Sequence, residues 1–437
     1  MSEELLINVT PQEIRVALVD NGVLQELQVE RSGHRGLVGN IYKGIVRRVL
    51  PGMQAAFVDV GLERTAFLHA TDIQDDSDEV QGETDIEPRA GHHEVRNVCA
   101  LLHEGQEVVV QVIKDPLGSK GARLSTRITL PGRYLVYMPF VPRIGVSTRI
   151  ESPEERFRLK EQLKSAIPPE EAGGYIIRTL AEGMEETDFV GDIDFLRRLW
   201  DSIRARLERS PAPSQIHSDL NLAMRMMRDV MSDDIQRVRI DSRETVDAAL
   251  AFCQGVIPEV ADRIEHYSGE RPLFDLYNVE DEIERALQSR VTLKSGAYLI
   301  IDQTEALTTV DVNTGGFVGR RNQEETIFKT NLEAAAAIAR QMRLRNIGGM
   351  IIIDFIDMED EEHKRRVQRA LEKAIQSDRT RCNITQISSL GLVEMTRKTH
   401  PRKSAPDPLR TLPLLPWPRF HENRRNHLLR NSPRDRP

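Results

Sequence analysis

The chain is poor in cysteine. Its 437 residues hold three, Cys99, Cys253 and Cys382, far apart and with no CxxC pair. That spacing excludes a disulfide framework and gives no zinc knuckle. No apolar run approaches the roughly 20 residues that cross a bilayer. The opening residues, MSEELLINVTPQEIRVAL, lack the basic start and apolar centre of a signal peptide. The cytoplasm is therefore the expected compartment, with no membrane partner. The glycine run VNTGGFVGR lacks the GxxxxGK(S/T) form, so no nucleotide cofactor is expected. No histidine pair has metal-ligand spacing. His363, in EEHKRR, reads as part of a solvated helix face.

Positive charge is not in excess either. Lysine and arginine number 60 against 68 aspartates and glutamates, a net charge of −8. Taken alone, that balance argues against nucleic-acid binding, but the distribution counts for more. Much of the acid lies in DIQDDSDEVQGETDIE, from Asp72 to Glu87, which reads as one solvated loop. Basic clusters lie elsewhere: Arg47-Arg48, then Arg340, Arg343 and Arg345, then Lys364-Arg365-Arg366. The three arginines closing the long helix suit either its C-terminal dipole or an RNA backbone.

What is present is a succession of short patterned segments. Residues 1–36 read as strand, turn, strand, with Asn21-Gly22 as the hairpin signal. Residues 37–127 are β-rich, with Gly and Pro turns, as in a small closed barrel of the OB type. Residues 128–219 mix strands (RYLVYMP, GYIIRTL) with two helical stretches. Residues 220–284 read as mostly helical. Residues 285–398 run strand, strand, long helix, strand, helix, strand, an α/β order. The long helix is expected from about Glu324 to Leu344, with Ile327, Leu332, Ala335, Ile338, Ala339 and Met342 as its apolar stripe. Residues 399–437 are rich in Pro and Arg, show no sustained periodicity, and are expected to be disordered.

Two apolar strands each end in a carboxylate. LIIDQTEALTTVDVNTG sets Asp311 two residues before Asn313, and GGMIIIDFIDMED sets Asp354 after three isoleucines. Ile and Val runs flanked by Gly read as buried strands. Aspartate is unwelcome there unless paired, hydrogen-bonded or bound to a metal. Two such aspartates at neighbouring strand ends make a natural hard-cation site, since Mg²⁺ is commonly held by one or two carboxylates plus water. The plainer alternative is that both cap helices or pair with arginine. Asp357 reads as a supporting or capping residue, and Asp302 as structural. Phe57 and Phe67, on their own, read as core. In an OB-type barrel beside Lys43, Lys114 and Lys120 they also suit base stacking. Arg178-Thr179, ending GYIIRT, reads either as an exposed strand end or as a grip for a terminal phosphate.

Long blocks of the chain resemble the ribonuclease E/G family, in that family's order: GNIYKGIVRRVLPGMQAAFVDVG, GYIIRT, ALTTVDVNTG, NLEAAAAIARQMRLRNIGGMIIIDFIDM and GLVEMTRK. The resemblance spans residues 5–398. It implies an α/β multidomain fold. An S1 barrel (37–127) is inserted in an RNase H-like part (1–36 and 220–284), followed by a 5′-sensor subdomain (128–219) and a DNase I-like catalytic part (285–398). It implies Mg²⁺-dependent endonucleolytic cutting of single-stranded RNA, favoured by a 5′-monophosphate, in rRNA maturation and mRNA decay. By position, Asp311 and Asp354 match the metal-binding aspartates and Asn313 the residue that orients the first. Arg178 and Thr179 match the pair that grips the 5′-phosphate. Phe57, Phe67 and Lys120 match RNA-contacting positions of the S1 barrel, and Arg381 a basic residue near the active site. The other reading, from a different class, is a protein that holds RNA without cutting it, or a truncated inactive member. DNA cleavage is weaker, since such barrels suit flexible single strands.

The chain leaves the pattern after GLVEMTRK. Relatives continue with RTRES and a C-P-x-C pair that shares a zinc ion between two subunits of a homodimer. Here the zinc link is expected to be absent, which puts dimer assembly in doubt. The tail RTLPLLPWPRFHENRRNHLLRN can be back-translated so that a neighbouring frame restores such a pair, which suggests one extra base near Lys398. Sequencing the gene tests this. The hypothesis fails if the bases around Lys398 cannot yield that frame.

Overall fold

The computed structural model describes residues 3–74, 97–116, 120–231, 235–315, 323–376, 378, 380, 382–388 and 391–398. The acidic loop from residue 75, the RNA contact expected of Arg381 and the disorder expected from Thr399 onward lie outside the described residues.

The first three strands are β1 (Glu3–Val9), β2 (Glu13–Asp20) and β3 (Val23–Arg31). Asn21 and Gly22 both take positive φ, 48° and 77°, and close the hairpin at the Asp20–Val23 pair. That is the turn an Asn-Gly dipeptide favours, because its twist matches the strands. Then come β4 (Ile41–Leu50), β5 (Ala55–Asp59), β6 (Ala66–His69), the short helix α1 (Val98–Leu101), β7 (Glu107–Lys114) and β8 (Arg123–Ser125). Pairing runs β4-β5-β6-β8-β7 and returns from β7 to β4, a closed five-stranded barrel. Alternation fills it: Ala56, Val58, Ala66 and Leu68 point inward, while Phe57, Phe67 and His69 lie on the outer face.

Next come β9 (Leu130–Pro131), β10 (Leu135–Met138), β11 (Ile144–Val146), α2 (Pro153–Ala166), β12 (Gly174–Ile177), α3 (Glu186–Arg209) and β13 (Ser214–His217). Four of these strands make a sheet in the order β11-β12-β10-β9, and β13 adds to the barrel beside β4. The chain then passes through α4 (Leu222–Val230), β14 (Ile235–Ile240), α5 (Arg243–Val256), β15 (Ile264–His266), α6 (Leu273–Leu276) and α7 (Val279–Ala286). Residues 220–284 are therefore less helical than their sequence suggests. IQRVRI and IEH become strands because β14 pairs in parallel with the distant β1, completing a sheet β15-β14-β1-β2-β3. Pairing across more than 200 residues leaves no local signal.

The last sheet has the order β16-β17-β18-β19-β21-β20. Its elements are β16 (Arg290–Thr292), β17 (Tyr298–Gln303), β18 (Leu307–Asn313), α8 (Gln323–Leu344), β19 (Gly349–Asp354), α9 (Glu361–Gln376), β20 (Cys382–Ile384) and β21 (Leu392–Arg397). The stripe of α8 packs Ala335, Ile338 and Met342 into one core with Leu299, Val310, Ile351 and Ile353 of the sheet, and α9 adds Val367 and Leu371. The real stripe runs through Phe328, Asn331 and Ala334, while Ile327 and Leu332 are only partly buried. The arginines closing α8 are ties between elements. Arg340 bonds Glu282 Oε2 at 3.2 Å and the Leu24 carbonyl, and Arg343 bonds the Ala374 carbonyl and Gln25. Arg345, one residue past the helix, bonds Gln341 of its last turn.

One ion pair stands at the close of this sheet. Arg397 grips Asp378 through two bonds of 2.8 and 3.2 Å, and also donates to the Ile347 carbonyl and Thr380 Oγ1. Both side chains are 5% exposed. Burial opposes the Asp378 charge, but Arg397 and Thr380 outweigh it and hold the carboxyl below its ordinary value. Asp378→Ala leaves a buried guanidinium without its partner and should lower unfolding free energy at pH 7 by about 3–5 kcal/mol. Because the folded pKa is depressed, the stabilisation is complete above the unfolded value of about 3.9 and is lost as pH falls through the folded one. Urea titrations of parent and variant should differ by a constant amount above about pH 5 and converge in stronger acid. A difference under about 1 kcal/mol at pH 7 would contradict this.

Candidate active site and nucleic-acid interface

Asp311 and Asp354 occupy one rung. β18 and β19 run in parallel, and their register pairs Asp311 with Asp354 at the carboxyl ends of both strands. Val310, Val312, Ile351 and Ile353 turn into the core, so both aspartates turn out and are exposed. Asn313 Nδ2 donates to Asp311 Oδ2 at 2.8 Å, fixing that carboxylate. Partial burial, then the charges of Asp311 and Asp357, raise the Asp354 pKa above its usual value. Carboxylates that raise one another's pKa through like charge are the donor type that a hard divalent cation relieves. Among the described residues, neither aspartate caps a helix or pairs with an arginine.

A second group stands where α8 and α9 begin. Glu324, Asp360 and His363 bring potential ligand atoms within 4.8 Å of one another. His363 Nδ1 is 3.6 Å from Glu324 and Nε2 is 3.9 Å from Asp360. His363 is not on a solvated face. Its ring stacks on Phe328 at 4.2 Å and 14°, and its side chain is 24% exposed. The two carboxylates lie at opposite ring nitrogens. A single metal ion would take one ring nitrogen, not both.

The barrel's outer face carries an aromatic pair. Phe57 and Phe67 lie opposite each other on β5 and β6, edge to face at 6.1 Å, with His69 6.3 Å from Phe67. The same rung continues to Arg48 on β4, Arg123 on β8 and Lys114 on β7. Lys43, expected beside the aromatics, is elsewhere: it pairs with Glu107 at 3.0 Å and reaches the Ser210 carbonyl. Two-residue periodicity puts it on another rung of β4. Lys120 is exposed, on the stretch leading into β8. Cations flanking aromatic rings are what a surface needs to hold bases and track phosphates.

Arg178 ends β12 inside a network. Its Nη2 donates to Asp229 Oδ1 at 2.8 Å, and its Nη1 to the carbonyls of Gly132 and Arg133. Asp229 also takes two bonds from Arg228 and, though burial opposes it, is held below its usual pKa by the two arginines. The carbonyls are set by Asp192, 4% exposed, which accepts the N–H groups of Arg133, Tyr134 and Leu135 at 2.8–3.0 Å. A side chain at Gly132 would meet that carboxylate at 2.5 Å, so only glycine fits. Thr179 Oγ1 shares a hydrogen bond with Ser147. Arg178 thus presents an oriented guanidinium, 26% exposed, whose Nε and second Nη2 hydrogen have no partner among the described residues.

Residues 129–400 match the Ribonuclease E/G family and residues 37–127 the S1 RNA binding domain. The chain is 54% identical to Ribonuclease G of Escherichia coli over 398 residues, 91% of this chain and 80% of that one. It is 51% identical to Ribonuclease G of Haemophilus influenzae, over 90% of this chain and 79% of that one. Against Ribonuclease E of Escherichia coli identity is 42%, over 91% of this chain and 37% of that one. The chain belongs to the ribonuclease E/G family. Its five-stranded barrel is an S1 domain within a mixed α/β fold.

Sequence reading missed Asp192, Asp229 and Asn331. The first two act through partners 51 to 59 residues away, which no local pattern reveals. Asn331 did leave a signal: it is polar at a position where the stripe of α8 requires an apolar residue.

Proposed function

We propose that this chain is a Mg²⁺-dependent endoribonuclease that cuts single-stranded RNA and favours 5′-monophosphorylated ends, acting in the cytoplasm in rRNA maturation and mRNA decay. The observation that carries the reading is the shared rung of Asp311 and Asp354 at the ends of adjacent parallel strands. Bound between these carboxylates, Mg²⁺ would polarise a phosphoryl oxygen and lower the pKa of an attacking water. The products then carry a 5′-phosphate and a 3′-hydroxyl. Asn313 keeps Asp311 aimed through its 2.8 Å bond. Phe57 and Phe67 offer ring faces to unstacked bases, and Lys120 takes a backbone phosphate. The free donors of Arg178, with the hydroxyl of Thr179, suit a terminal phosphate monoester, whose extra charge an internal phosphodiester lacks.

The same reading assigns parts to the chain. Residues 1–36 and 220–284 form an RNase H-like part, supported by the sheet order β15-β14-β1-β2-β3 with its parallel and antiparallel halves. Residues 128–219 form the 5′-sensor and 285–398 the DNase I-like catalytic part. No helix of the described residues is long and apolar enough to cross a membrane. The three cysteines offer no thiolate pair for a zinc link, and Cys253 is buried.

The test uses a short single-stranded RNA with a 5′-monophosphate, with and without Mg²⁺, and the Asp311→Asn variant. Metal-dependent cutting is expected from the parent, with a loss of at least about a hundredfold in Asp311→Asn while RNA binding persists. A 5′-hydroxyl version should be cut more slowly. A parent that binds RNA and never cuts it would favour a non-cleaving RNA-binding protein.

A further inference from the structure

The segment between β19 and α9 carries Asp357 and follows Asp354 directly. Backbone pairing of β19 with β21 stops at Asp354–Leu392, and beyond that rung no strand among the described residues pairs with it. A side chain does. Asn331 of α8 donates from Nδ2 to the Ile356 carbonyl at 2.8 Å, and its Oδ1 accepts the Ile356 N–H at 3.2 Å. The amide thereby gives Ile356 both bonds that a neighbouring strand would supply. Asn331 is 0% exposed. An asparagine on the buried stripe of a helix is costly unless its polar atoms are satisfied, and here one residue of one loop satisfies them.

A second grip lies two helical turns away on the same face. Glu324 accepts the Asp360 N–H at 2.9 Å. Between them Phe355 and Met358 are buried, whereas Asp354 and Asp357 are exposed. The segment is therefore anchored at 355, 356, 358 and 360, with the carboxylates of Asp354 and Asp357 turned out. Asp357 has little room on one side, since a methyl at Gly391 would sit 3.0 Å from its Oδ1.

We infer that Asn331 is a positioning residue for the divalent-cation site: by clamping Ile356 it sets where the carboxylates of Asp354 and Asp357 stand relative to Asp311. This rests on the reading of Asp311 and Asp354 as that site. Groups that orient a metal's ligands commonly change its affinity by 10- to 100-fold when removed.

The experiment titrates Mn²⁺ into the full chain and reads free Mn²⁺ by solution EPR. It compares the parent with Asp311→Asn, Asn331→Ala and Asn331→Asp, and records circular dichroism and thermal melts. The parent should show a Mn²⁺ site that Asp311→Asn removes. Asn331→Ala, at a temperature where it is folded, should raise the dissociation constant of that site at least about tenfold. Should Asn331→Ala not fold, Asn331→Asp decides. It keeps the acceptor for the Ile356 N–H, sets an oxygen against the Ile356 carbonyl, and should weaken Mn²⁺ binding likewise. A lower melting temperature with unchanged Mn²⁺ affinity would make Asn331 merely structural and overturn the inference. A parent with no Asp311-dependent Mn²⁺ site overturns the underlying reading, and the inference with it.

Discussion

Alternate residues of β18 and β19 are committed to the core, and that constraint sets two mutually repelling carboxylates on one rung of a parallel strand pair. β18 and β19 bring Asp311 and Asp354 side by side because their alternate residues are committed to the core. A slip of one residue in either strand would bury an aspartate and expose an isoleucine or valine. The register is therefore fixed by hydrophobic burial, and the electrostatic strain is its by-product. Water eases the strain at an exposed edge, and a divalent cation eases it further. Asn313 and the clamp on Ile356 narrow the positions the two carboxylates can take.

The other candidate surfaces follow the same logic of polar groups fixed by buried neighbours. The S1 barrel closes around small and branched residues, which leaves Phe57 and Phe67 outside with cations on both flanks of their rung. Arg178 is aimed by Asp229 and by two carbonyls, and those carbonyls stay in place because Asp192 collects three backbone N–H groups. At Arg178 the guanidinium is held through a residue, Asp192, that has given up solvent.

Legibility from sequence tracks how local each signal is. The hairpin at Asn21-Gly22, the long helix within one residue of its start, and the two strand-ending aspartates are written in adjacent residues, and each lies where its pattern indicates. The rung shared by Asp311 and Asp354 is a pairing fact, legible only as a possibility until register is known. β14 leaves no local signal because its partner β1 lies more than 200 residues away, and β15 is a three-residue strand whose partner is β14 itself. Lys43 was misjudged because rungs, not sequence proximity, decide which residues stand beside Phe57. His363 lies in a charged run that hides its stacking on Phe328.

The most direct measurement is anomalous diffraction from crystals of the full chain grown or soaked with Mn²⁺, collected near the manganese edge. A cation held by the strand-end carboxylates puts a peak between Asp311 and Asp354, within about 2.3 Å of an oxygen of each. A peak only at Glu324, Asp360 and His363, or none in crystals whose strand ends are open to solvent, would contradict the assignment on which the catalytic reading depends.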